Sequence, residues 1–485
     1  MRGYGGYGRL DDRWVRRWTA RRRNTELALV LFAVAIATGG HAAAGLAMEE
    51  RIPTGLPAYA AVLGAAALVA HLAVRRFARY ADPLFLPVTV LLVGLGLVLI
   101  DRLDHDYALH HPPSDYQSLP LAPAQATWAL IGVGVLIATL VVVHHHRILQ
   151  RYVYSGMAVA MALLMAPALF GADEYGAKRW ITVGSLSVQP GEFVKVMIVV
   201  FFAGYLTATG DALALVGRRV LGLALPRGRN AGPVLLVWAV SLVVLFYERD
   251  LGTSLIFFGV FIVMLYVATR RTGWVVLGAL MAVVGTVVVA TTQPHVKGRV
   301  QAWLDPMAIF LPPEQRPPGL ISDQLAQSLF SFGAGGLTGT GLGQGHSYQI
   351  GFAGRSDYIL ATVGEELGLA GTTLVVLLYV LLIQRGFAAA LAATDPFGKL
   401  LAAGLSTVVA LQVFIVGGGV TGLIPLTGKA LPFLAQGGSS MVANCLLVAL
   451  LIRISDSAGR AATQPKGNAT ILTPVVRDPV RPEIL

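Results

Sequence analysis

The sequence has little charge: of its 485 residues, 13% are Asp, Glu, Lys or Arg, against about 25% in a soluble globular domain. Its single cysteine, Cys445, excludes an internal disulfide and a metal site built from several cysteines. With 55% hydrophobic residues and a mean hydropathy of +0.67, the composition is typical of a protein that crosses the membrane many times. We therefore expect an all-α polytopic membrane protein. We also expect no cleavable signal peptide, because the first apolar run is long and no small-residue cleavage site follows it.

Long apolar runs predict about twelve transmembrane helices between a basic, poorly ordered leader at 1–26 and a disordered tail at 457–485. The run at 233–247 falls short of the ~20 residues that a bilayer crossing needs. The membrane domain then covers 27–456, with the predicted spans at 27–48, 55–74, 83–100, 124–143, 152–171, 192–209, 233–247, 252–269, 273–292, 358–383, 399–420 and 433–453.

The formal net charge of +11 would favour a nucleic-acid partner in a soluble protein, but here the arginines flank apolar runs. If the N-terminus is cytoplasmic, every inner loop carries Arg or Lys, which is the positive-inside pattern. We therefore expect both termini in the cytoplasm and no nucleic-acid partner. The outer face then carries 101–123, 172–191, 247–252, 421–432 and the large loop 293–357.

The chain has only six lysines, and four of them fall on or just below this outer face, against the topology rule. They are Lys178, Lys195, Lys297 and Lys429. One explanation is contact with lipid headgroups. The other is an anionic ligand at the outer surface, since an ammonium binds phosphate as a point charge.

Several outer segments carry polar residues at membrane depth. In "GAKRWITVGSLSVQPGEFVKVM" (176–197), Glu192 and Lys195 lie one helical turn apart. They form either a functional ion pair or a structural pair that fixes helix packing. The turn "YERDLGTS" places Asp250 between two spans. The loop 293–357 contains glycine repeats that resemble a phosphate cradle, and we expect a flexible or re-entrant segment there.

The stretch "GFAGRSDYILATVGEELGLAG" (351–371) brings three carboxylates to the head of an apolar helix. Asp357 is expected at the surface, as a functional group or a helix N-cap. Glu365 and Glu366 lie two turns deeper and about 100° apart around the helix. One is expected to line a cavity and the other to pair with a neighbouring span; the sequence does not decide which.

Two histidine-containing tracts could bind metal. His144, His145 and His146 lie at the inner interface, where we expect contact with headgroups. The outer tract could hold a divalent ion through Asp104, His105, Asp106, His110 and His111.

Taken together, these segments resemble the SEDS family of bacterial cell-wall proteins, the RodA/FtsW/SpoVE group. The similarity covers roughly 150–455 in family order, and the two extra N-terminal spans within 27–150 look most like actinobacterial RodA-type members. The matching pieces are "GAKRWI", "QPGEFVK", "RDLGTS", "RVQAWLDP", "QSLFSFGAGGLTGTGLG", "SDYILATVGEELGLAG" and "GLIPLTGKALPF" followed by "GGSS", with "RRNTEL" and "RRFARYADPLFLPV" upstream.

The resemblance implies a peptidoglycan glycosyltransferase that polymerises lipid II at the outer face of the bacterial cytoplasmic membrane, in complex with a class B penicillin-binding protein. It implies that Asp357 is the catalytic carboxylate and that the reaction inverts the anomeric carbon, with a divalent cation (Mg or Mn) as a possible cofactor. The expected substrate-binding residues are Lys178, Arg179, Trp180, Gln189, Glu192, Lys195, Asp250, Arg299, Gln327, Glu365, Lys429 and Ser439.

The chain departs from the family pattern at "PPGLISDQ", at "AQGGSS" and at "QPGE", which leaves open a specialised paralogue or reduced activity. Two other functions stay open. A lipid II flippase would carry functional charges on both sides of the membrane midplane. A non-catalytic scaffold for a transpeptidase would tolerate alanine at Asp357 and Lys195.

Overall fold

The computed structural model describes most of the chain and is dominated by long helices. It describes residues 12–463 apart from 111–119, 175–176, 184–185, 214–215, 221–222, 227–238, 240–249, 293, 318–319 and 321. The helices of this part are α1 (Asp12–Glu49), α2 (Leu56–Phe77), α3 (Phe85–His110), α4 (Leu121–Val142), α5 (Val153–Phe170), α6 (Pro190–Leu213), α7 (Leu251–Thr269), α8 (Thr272–Thr292), α9 (Pro294–Leu304), α10 (Gln324–Gly335), α11 (Ile359–Ala392), α12 (Pro396–Val420) and α13 (Gly438–Thr463).

The strands are short and lie at the ends of the bundle. The antiparallel sheet β1 (Ala172–Glu174), β2 (Ala177–Val183) and β3 (Leu186–Val188) occupies the predicted outer loop between α5 and α6. A second antiparallel pair, β4 (Val216–Val220) and β5 (Leu223–Pro226), follows α6. The prediction of an all-α fold is confirmed, since these sheets only connect helices.

Within the described residues, ten helices are long and apolar enough to cross a membrane, and each coincides with a predicted span. The predicted span at 273–292 coincides with α8, whose apolar stretch Thr272–Val288 is shorter. The predicted span at 233–247 lies outside the described residues except for Ala239. The protein is therefore a multi-pass membrane protein.

The prediction of a poorly ordered leader is wrong from Asp12 onward, because α1 begins there. Arg23, in this segment, is buried and donates to Glu26 Oε2 at 2.6 Å and to the Ala81 carbonyl at 2.5 Å. The other Glu26 oxygen lies 2.7 Å from His71 Nδ1 on α2. These bonds satisfy a guanidinium that is costly to bury alone. They explain why the basic segment joins the helix instead of staying in water.

Two other helices run further than predicted. The prediction of a loop beginning at 101 is wrong for residues 101–110, since α3 continues to His110. The predicted disorder from 457 is wrong as far as Thr463, where α13 ends. The remainder of the predicted tail lies outside the described residues.

The extra helices belong to the same apolar core as the rest of the bundle. Helix α1 packs against α2 and α3, and α2 packs against α4. Helix α13 lies against α4, while α12 contacts α6, α7 and α11. Arg453 of α13 donates to the carbonyl of Phe77 at the end of α2 at 2.7 Å. The N-terminal pair is therefore fixed to the core by both apolar packing and buried polar bonds.

The glycine-rich segment between α10 and α11 is hydrogen-bonded to the backbone of α11 where that helix is broken. Helix α11 is interrupted at Gly368, which has a φ of 67°. Upstream of this break, the carbonyls of Glu365 and Glu366 accept from the N–H groups of Thr340 and Gly341 at 2.9 and 3.0 Å. Downstream, the N–H groups of 369 and 370 donate to the carbonyls of 336 and 337. Four backbone groups at the break thus have partners in the glycine segment, as irregular backbone at membrane depth requires.

The segment 421–437, which enters α13, is irregular. Its carbonyls accept bonds from side chains of three helices: Tyr379 Oη donates to Pro432 at 2.6 Å, Gln412 Nε2 to Ala430 at 2.7 Å and Gln125 Nε2 to Ala435 at 3.2 Å. These side chains replace the hydrogen bonds that a helix would form internally. They hold the segment in one conformation.

The expectation of headgroup contact is wrong for His146, which is buried. Its Nε2 lies 2.7 Å from Asp395 Oδ2, and the Gly398 N–H donates to Oδ1 at 2.8 Å. Burial opposes ionisation of Asp395, but the bonds from Gly398 and His146 outweigh it, so its pKa is lowered from the ordinary value. The pair fixes the connection between α4 and α5 to the N-terminus of α12.

Candidate active site

Asp357 lies between the 3₁₀ segment Ser347–Arg355 and the start of α11. Its side chain is partly buried, and the Ser356 hydroxyl donates to Oδ1 at 2.9 Å. The helical N-cap position is occupied by the next residue, Tyr358, and no side-chain cap bond is formed there. The alternative role of Asp357 as an N-cap is therefore wrong.

Arg299 on α9 lies within electrostatic reach of Tyr358, the residue that follows Asp357. Burial raises the pKa of the Tyr358 hydroxyl; the negative charges of Asp357 and Asp323 raise it further, and the positive charge of Arg299 opposes them. The Arg299 guanidinium also lies against Gly428 and donates to the Leu426 carbonyl at 3.4 Å. Arg299 therefore connects the Asp357 region to segment 421–437.

Glu192 and Lys195 form the predicted ion pair, buried at the start of α6. Lys195 Nζ donates to Glu192 Oε2 at 2.8 Å, to Gln412 Oε1 at 3.0 Å and to Asn444 Oδ1 at 3.3 Å. An ammonium has three N–H donors, and three protein acceptors surround this one. Lys195 thus holds α6, α12 and α13 together, which supports the structural interpretation of the pair.

Lys429 extends this cluster to the start of α7. Its Nζ lies 2.9 Å from Asp250 Oδ2 and 3.6 Å from Glu192 Oε1, and all three side chains are buried. Asp250 also caps α7, because its Oδ1 accepts from the Thr253 N–H at 2.9 Å. Gly252 is required here, since a Cβ would lie 2.4 Å from Lys429 Cγ. We call Glu192, Lys195, Asp250 and Lys429 the buried charge cluster.

Other predicted residues border this cluster. The Gln189 N–H donates to Ser439 Oγ at 2.9 Å, so both lie where α6 and α13 begin. Trp180 is partly buried in β2, which pairs with β3 just before α6. The backbones of Lys178 and Arg179 are in β2, but their side chains lie outside the described part of the structure. Gln327 is set apart on α10, where its Nε2 donates to Asp323 Oδ2 at 3.3 Å.

Glu365 and Glu366 have different partners, as expected. Glu366 Oε1 lies 2.6 Å from Arg102 Nε on α3, which is the expected pair with a neighbouring span. Glu365 Oε1 accepts from the His346 N–H at 2.7 Å, and its other oxygen accepts from the Ser347 hydroxyl. Both carboxylates are buried. The oxygens of Glu365 thus bind the chain that leads to Asp357, and its substrate-binding role stays a prediction.

A second buried ion pair, Asp104 with Arg355, was not predicted. Arg355 Nη1 donates to Asp104 Oδ1, and its guanidinium lies 4.8 Å from the centre of the Tyr107 ring. The other Asp104 oxygen accepts from the N–H groups of Leu121 and Ala122 at 2.6 and 2.8 Å. The sequence signal was an arginine two residues before the key carboxylate, but nothing in the sequence identified its partner 251 positions away.

The possible metal site in the outer histidine tract is not supported by this geometry. Asp104 is bound to Arg355, and Asp106 Oδ2 lies 3.1 Å from Arg102 Nη1. Among the described residues, no group of three or more His, Cys, Asp or Glu side chains is arranged to hold a metal ion. His111 lies outside the described residues.

Comparison with known proteins identifies the family. The family described as "Cell cycle protein" (FtsW, RodA, SpoVE) matches residues 83–459. The chain belongs to the SEDS family. It is 42% identical to the peptidoglycan glycosyltransferase RodA of Mycobacterium tuberculosis, over 93% of this chain and 94% of that protein. It is 32% identical to the stage V sporulation protein E of Bacillus subtilis, over 77% of this chain and 96% of that protein.

Solved structures share the SEDS fold. A chain of a peptidoglycan synthase complex, described as coordinating polymerization and crosslinking, matches with a TM-score of 0.57 at 22% identity, covering 78% of this chain and 98% of that one. The rod shape determining protein RodA of Thermus thermophilus matches with a TM-score of 0.53 at 21% identity, over 77% of this chain and 96% of that one. The remaining part of this chain includes the extra helices α1 and α2, since the family match begins at residue 83.

Proposed function

We propose that the protein is a peptidoglycan glycosyltransferase of the RodA type, which polymerises lipid II into glycan strands. The observation that carries this proposal is the position of Asp357. Its partly buried carboxylate lies at the head of α11, beside Arg299 and the segment that bears Lys429 of the buried charge cluster. A base next to cations is what glycosyl transfer from a diphosphate donor requires.

In this reaction the acceptor sugar hydroxyl attacks the anomeric carbon of the donor. The hydroxyl oxygen forms the new glycosidic bond while the bond from the anomeric carbon to the phosphate oxygen breaks, with inversion. Asp357 takes the hydroxyl proton, and the polyprenyl diphosphate leaves with the electron pair. Removal of a general base costs typically about 10²–10⁴-fold in rate.

The cations divide into two groups by their surroundings. Lys195 and Lys429 form close ion pairs with carboxylates inside the buried charge cluster, so they support the frame of the site. Arg299, which is partly buried, is the candidate to contact diphosphate. Three cations here face the three carboxylates Glu192, Asp250 and Asp357. The diphosphate therefore needs further positive charge, which Lys178 and Arg179 in β2 supply.

We place this site on the outer side of the cytoplasmic membrane, where the positive-inside pattern puts Asp357. The lipid tail then stays in the bilayer while the disaccharide and diphosphate meet the site at the headgroup level. A class B penicillin-binding protein is the proposed partner that crosslinks the product. The similarity to a chain of a peptidoglycan synthase complex supports such an assembly.

A divalent cation remains a proposal. Because the described residues hold no metal-binding group of three or more His, Cys, Asp or Glu side chains, such an ion would arrive with the diphosphate rather than reside in the protein. No step of the reaction above is assigned to it.

The experiment is polymerisation of purified lipid II by the full chain in vesicles, with and without the transpeptidase, comparing the parent with Asp357→Asn. The matched control is Glu314→Gln, an exposed carboxylate in the same large loop. We expect the control to keep the parent rate and Asp357→Asn to lose about 10²-fold or more. Equal rates for Asp357→Asn and the parent would remove Asp357 as the base.

The same vesicles discriminate the two other functions. A flippase would move lipid II between leaflets without forming polymer. A scaffold would let Asp357→Asn and Lys195→Ala support growth when they replace the parent gene. Either result would overturn the proposed function.

A further inference from the structure

Two connected cavities lie between the extra helices and the family core, away from Asp357. The first, of about 670 Å³, is lined by apolar residues and by several charged side chains, and is bounded by the end of α1, the end of α3 and the start of α4. The second, of about 570 Å³, is an apolar groove between α2 and α4. They share the lining residues His41, Glu49, Pro53 and Asp101, so the chamber and the groove meet there.

We propose that these cavities bind one phospholipid whose headgroup carries both a phosphate and an ammonium, as phosphatidylethanolamine does. The groove would hold one hydrocarbon chain, and the chamber would hold the headgroup. The second chain would remain in the bilayer. The site is built by α1 and α2, which lie outside the family match that begins at residue 83.

The dimensions of the groove favour a single hydrocarbon chain. Along α3 it extends from Asp101 to Leu86, which is about 22 Å at 1.5 Å per residue. This length is roughly three-quarters of the ~30 Å hydrocarbon layer of a bilayer. A volume of about 570 Å³ over that length gives a mean cross-section of about 26 Å².

The lining of the groove is apolar over most of this length. It includes Val62, Leu63, Ala126 and Val133 of the facing helices. At its inner limit the groove reaches Met441 and Cys445 on α13. In a membrane such a surface is filled by lipid, because no water is present there to fill it.

The charged side chains where the chamber meets the groove match the charges of a phosphatidylethanolamine headgroup. The side chains of Asp101 and Glu49 are 51% and 29% exposed, respectively. Their neighbours are His41, 3.6 Å from Asp101, and Arg51, 2.8 Å from Glu49. A lipid ammonium would bind the carboxylates, and the phosphate would bind the Arg51 guanidinium, whose side chain is 72% exposed. An anionic phospholipid would have only one of these two matches.

The chamber also reaches the segment that positions Asp357. Asp104 lines the chamber and binds Arg355, and Gly343 lies against the carbonyl of Ala44 and the side chain of Met48 on α1. A lipid that fills the chamber therefore supports the packing of α1 against this segment. Through this contact, the extra helices would support the segment that positions Asp357, a support that the family core alone lacks.

The test uses a phosphatidylethanolamine with a photoreactive diazirine on one chain, added to the full protein in dodecyl maltoside micelles. Crosslinked peptides are mapped by mass spectrometry. We expect labelling of α2 and α4 in the groove, displaced by unlabelled phosphatidylethanolamine but about tenfold less well by phosphatidylglycerol, since one charge-assisted bond is lost.

Two variants on one helix give the matched control. Ala126→Trp fills the groove, whereas Ala124→Trp places the same ring on an exposed part of α4 outside the groove lining. We expect Ala126→Trp to lose the labelling and Ala124→Trp to retain it. Asp101→Asn keeps the groove and should reduce the preference for phosphatidylethanolamine about tenfold.

Three results would overturn the proposal: equal displacement by phosphatidylglycerol, labelling that survives Ala126→Trp, or preferential displacement by lipid II. The competition in the parent protein decides the question even if Ala126→Trp fails to fold. None of these measurements depends on glycosyltransferase activity, so the outcome is independent of the proposed function.

Discussion

Replacement of Arg355 by methionine tests whether the ion pair with Asp104 positions Asp357, the proposed catalytic carboxylate. Arg355 lies two residues before Asp357 and is 2% exposed. Its guanidinium binds Asp104 and lies over the rings of Tyr107 and Phe352, at 4.8 and 5.6 Å from their centres. The pair therefore fixes the backbone that carries Asp357 to α3.

The expected magnitude follows from what Arg355→Met leaves behind. Asp104 would keep its two bonds from the backbone of α4 but lose the Arg355 guanidinium, its ion-pair partner within the described part of the chain. Removing one member of a buried pair costs about 3–5 kcal/mol. If about 3 kcal/mol of this appears as displacement of the segment before Asp357, kcat falls about 10²-fold, because 1.36 kcal/mol corresponds to tenfold. A shift of about 1 Å at a catalytic group has a similar effect.

The assay combines polymerisation kinetics on lipid II with thermal unfolding of the same preparations. A purely structural role would lower Tm and leave kcat of the folded protein unchanged, whereas a positioning role lowers kcat more than it changes KM. Arg316→Met is the control, since this exposed arginine binds only the Leu311 carbonyl among the described contacts. Arg355→Lys should recover part of the rate because it keeps the charge.

A double variant completes the test. Asp104→Asn keeps an acceptor for the start of α4 but loses the charge, and Arg355→Met with Asp104→Asn leaves no buried charge unpaired. We expect the double variant to be more stable than the sum of the single effects implies, by about 0.5–3 kcal/mol. The reasoning is refuted if Arg355→Met polymerises lipid II at the parent rate with an unchanged Tm.

Three further predictions concern stability. Lys195→Met should lower the free energy of unfolding by about 3 kcal/mol or more, because three buried acceptors lose their donor. Adding Glu192→Gln to the same chain should recover part of this loss, as measured by thermal unfolding. Gly339→Ala should be strongly destabilising, since its φ is 86° and a Cβ would lie 2.2 Å from a carbonyl oxygen of α11; Gly333→Ala, with open space around the Cβ, should be neutral by the same assay. The lowered pKa of Asp395 means that its contribution is complete above the ordinary value near pH 4 and disappears as the pH falls through the lowered pKa. Asp395→Asn should therefore lower Tm at pH 7, and a difference that persists unchanged below pH ~3 would contradict this assignment.

The membrane helices were predictable because hydropathy along the chain directly reports which segments prefer lipid. Eleven predicted spans coincide with helices of the described residues, ten of which are long and apolar enough to cross a membrane. The pair Glu192–Lys195 was also predictable, because a spacing of three residues places both on one helix face. The prediction for the leader was wrong because an arginine in a basic segment is expected to be solvated. In the structure, Arg23 is instead bound by Glu26 and the Ala81 carbonyl.

The site was predictable only in part. The motif containing Asp357 marks the carboxylate, but Glu365 looked equally functional in the sequence. Its actual partners, His346 and Ser347, follow from the break of α11 at Gly368 and the glycine segment that joins it. No local pattern specifies that pairing.

By itself, the sequence determined the class of the protein, the order of most membrane helices and the family, because hydropathy and motifs act over short stretches of chain. The tertiary structure alone decided which charges are partners: Lys429 with Asp250, Arg102 with Glu366, and Arg355 with Asp104. The physical reason is that a charge buried among helices must find an opposite charge or a hydrogen-bond partner nearby in space. Which residue lies nearby depends on how distant helices pack.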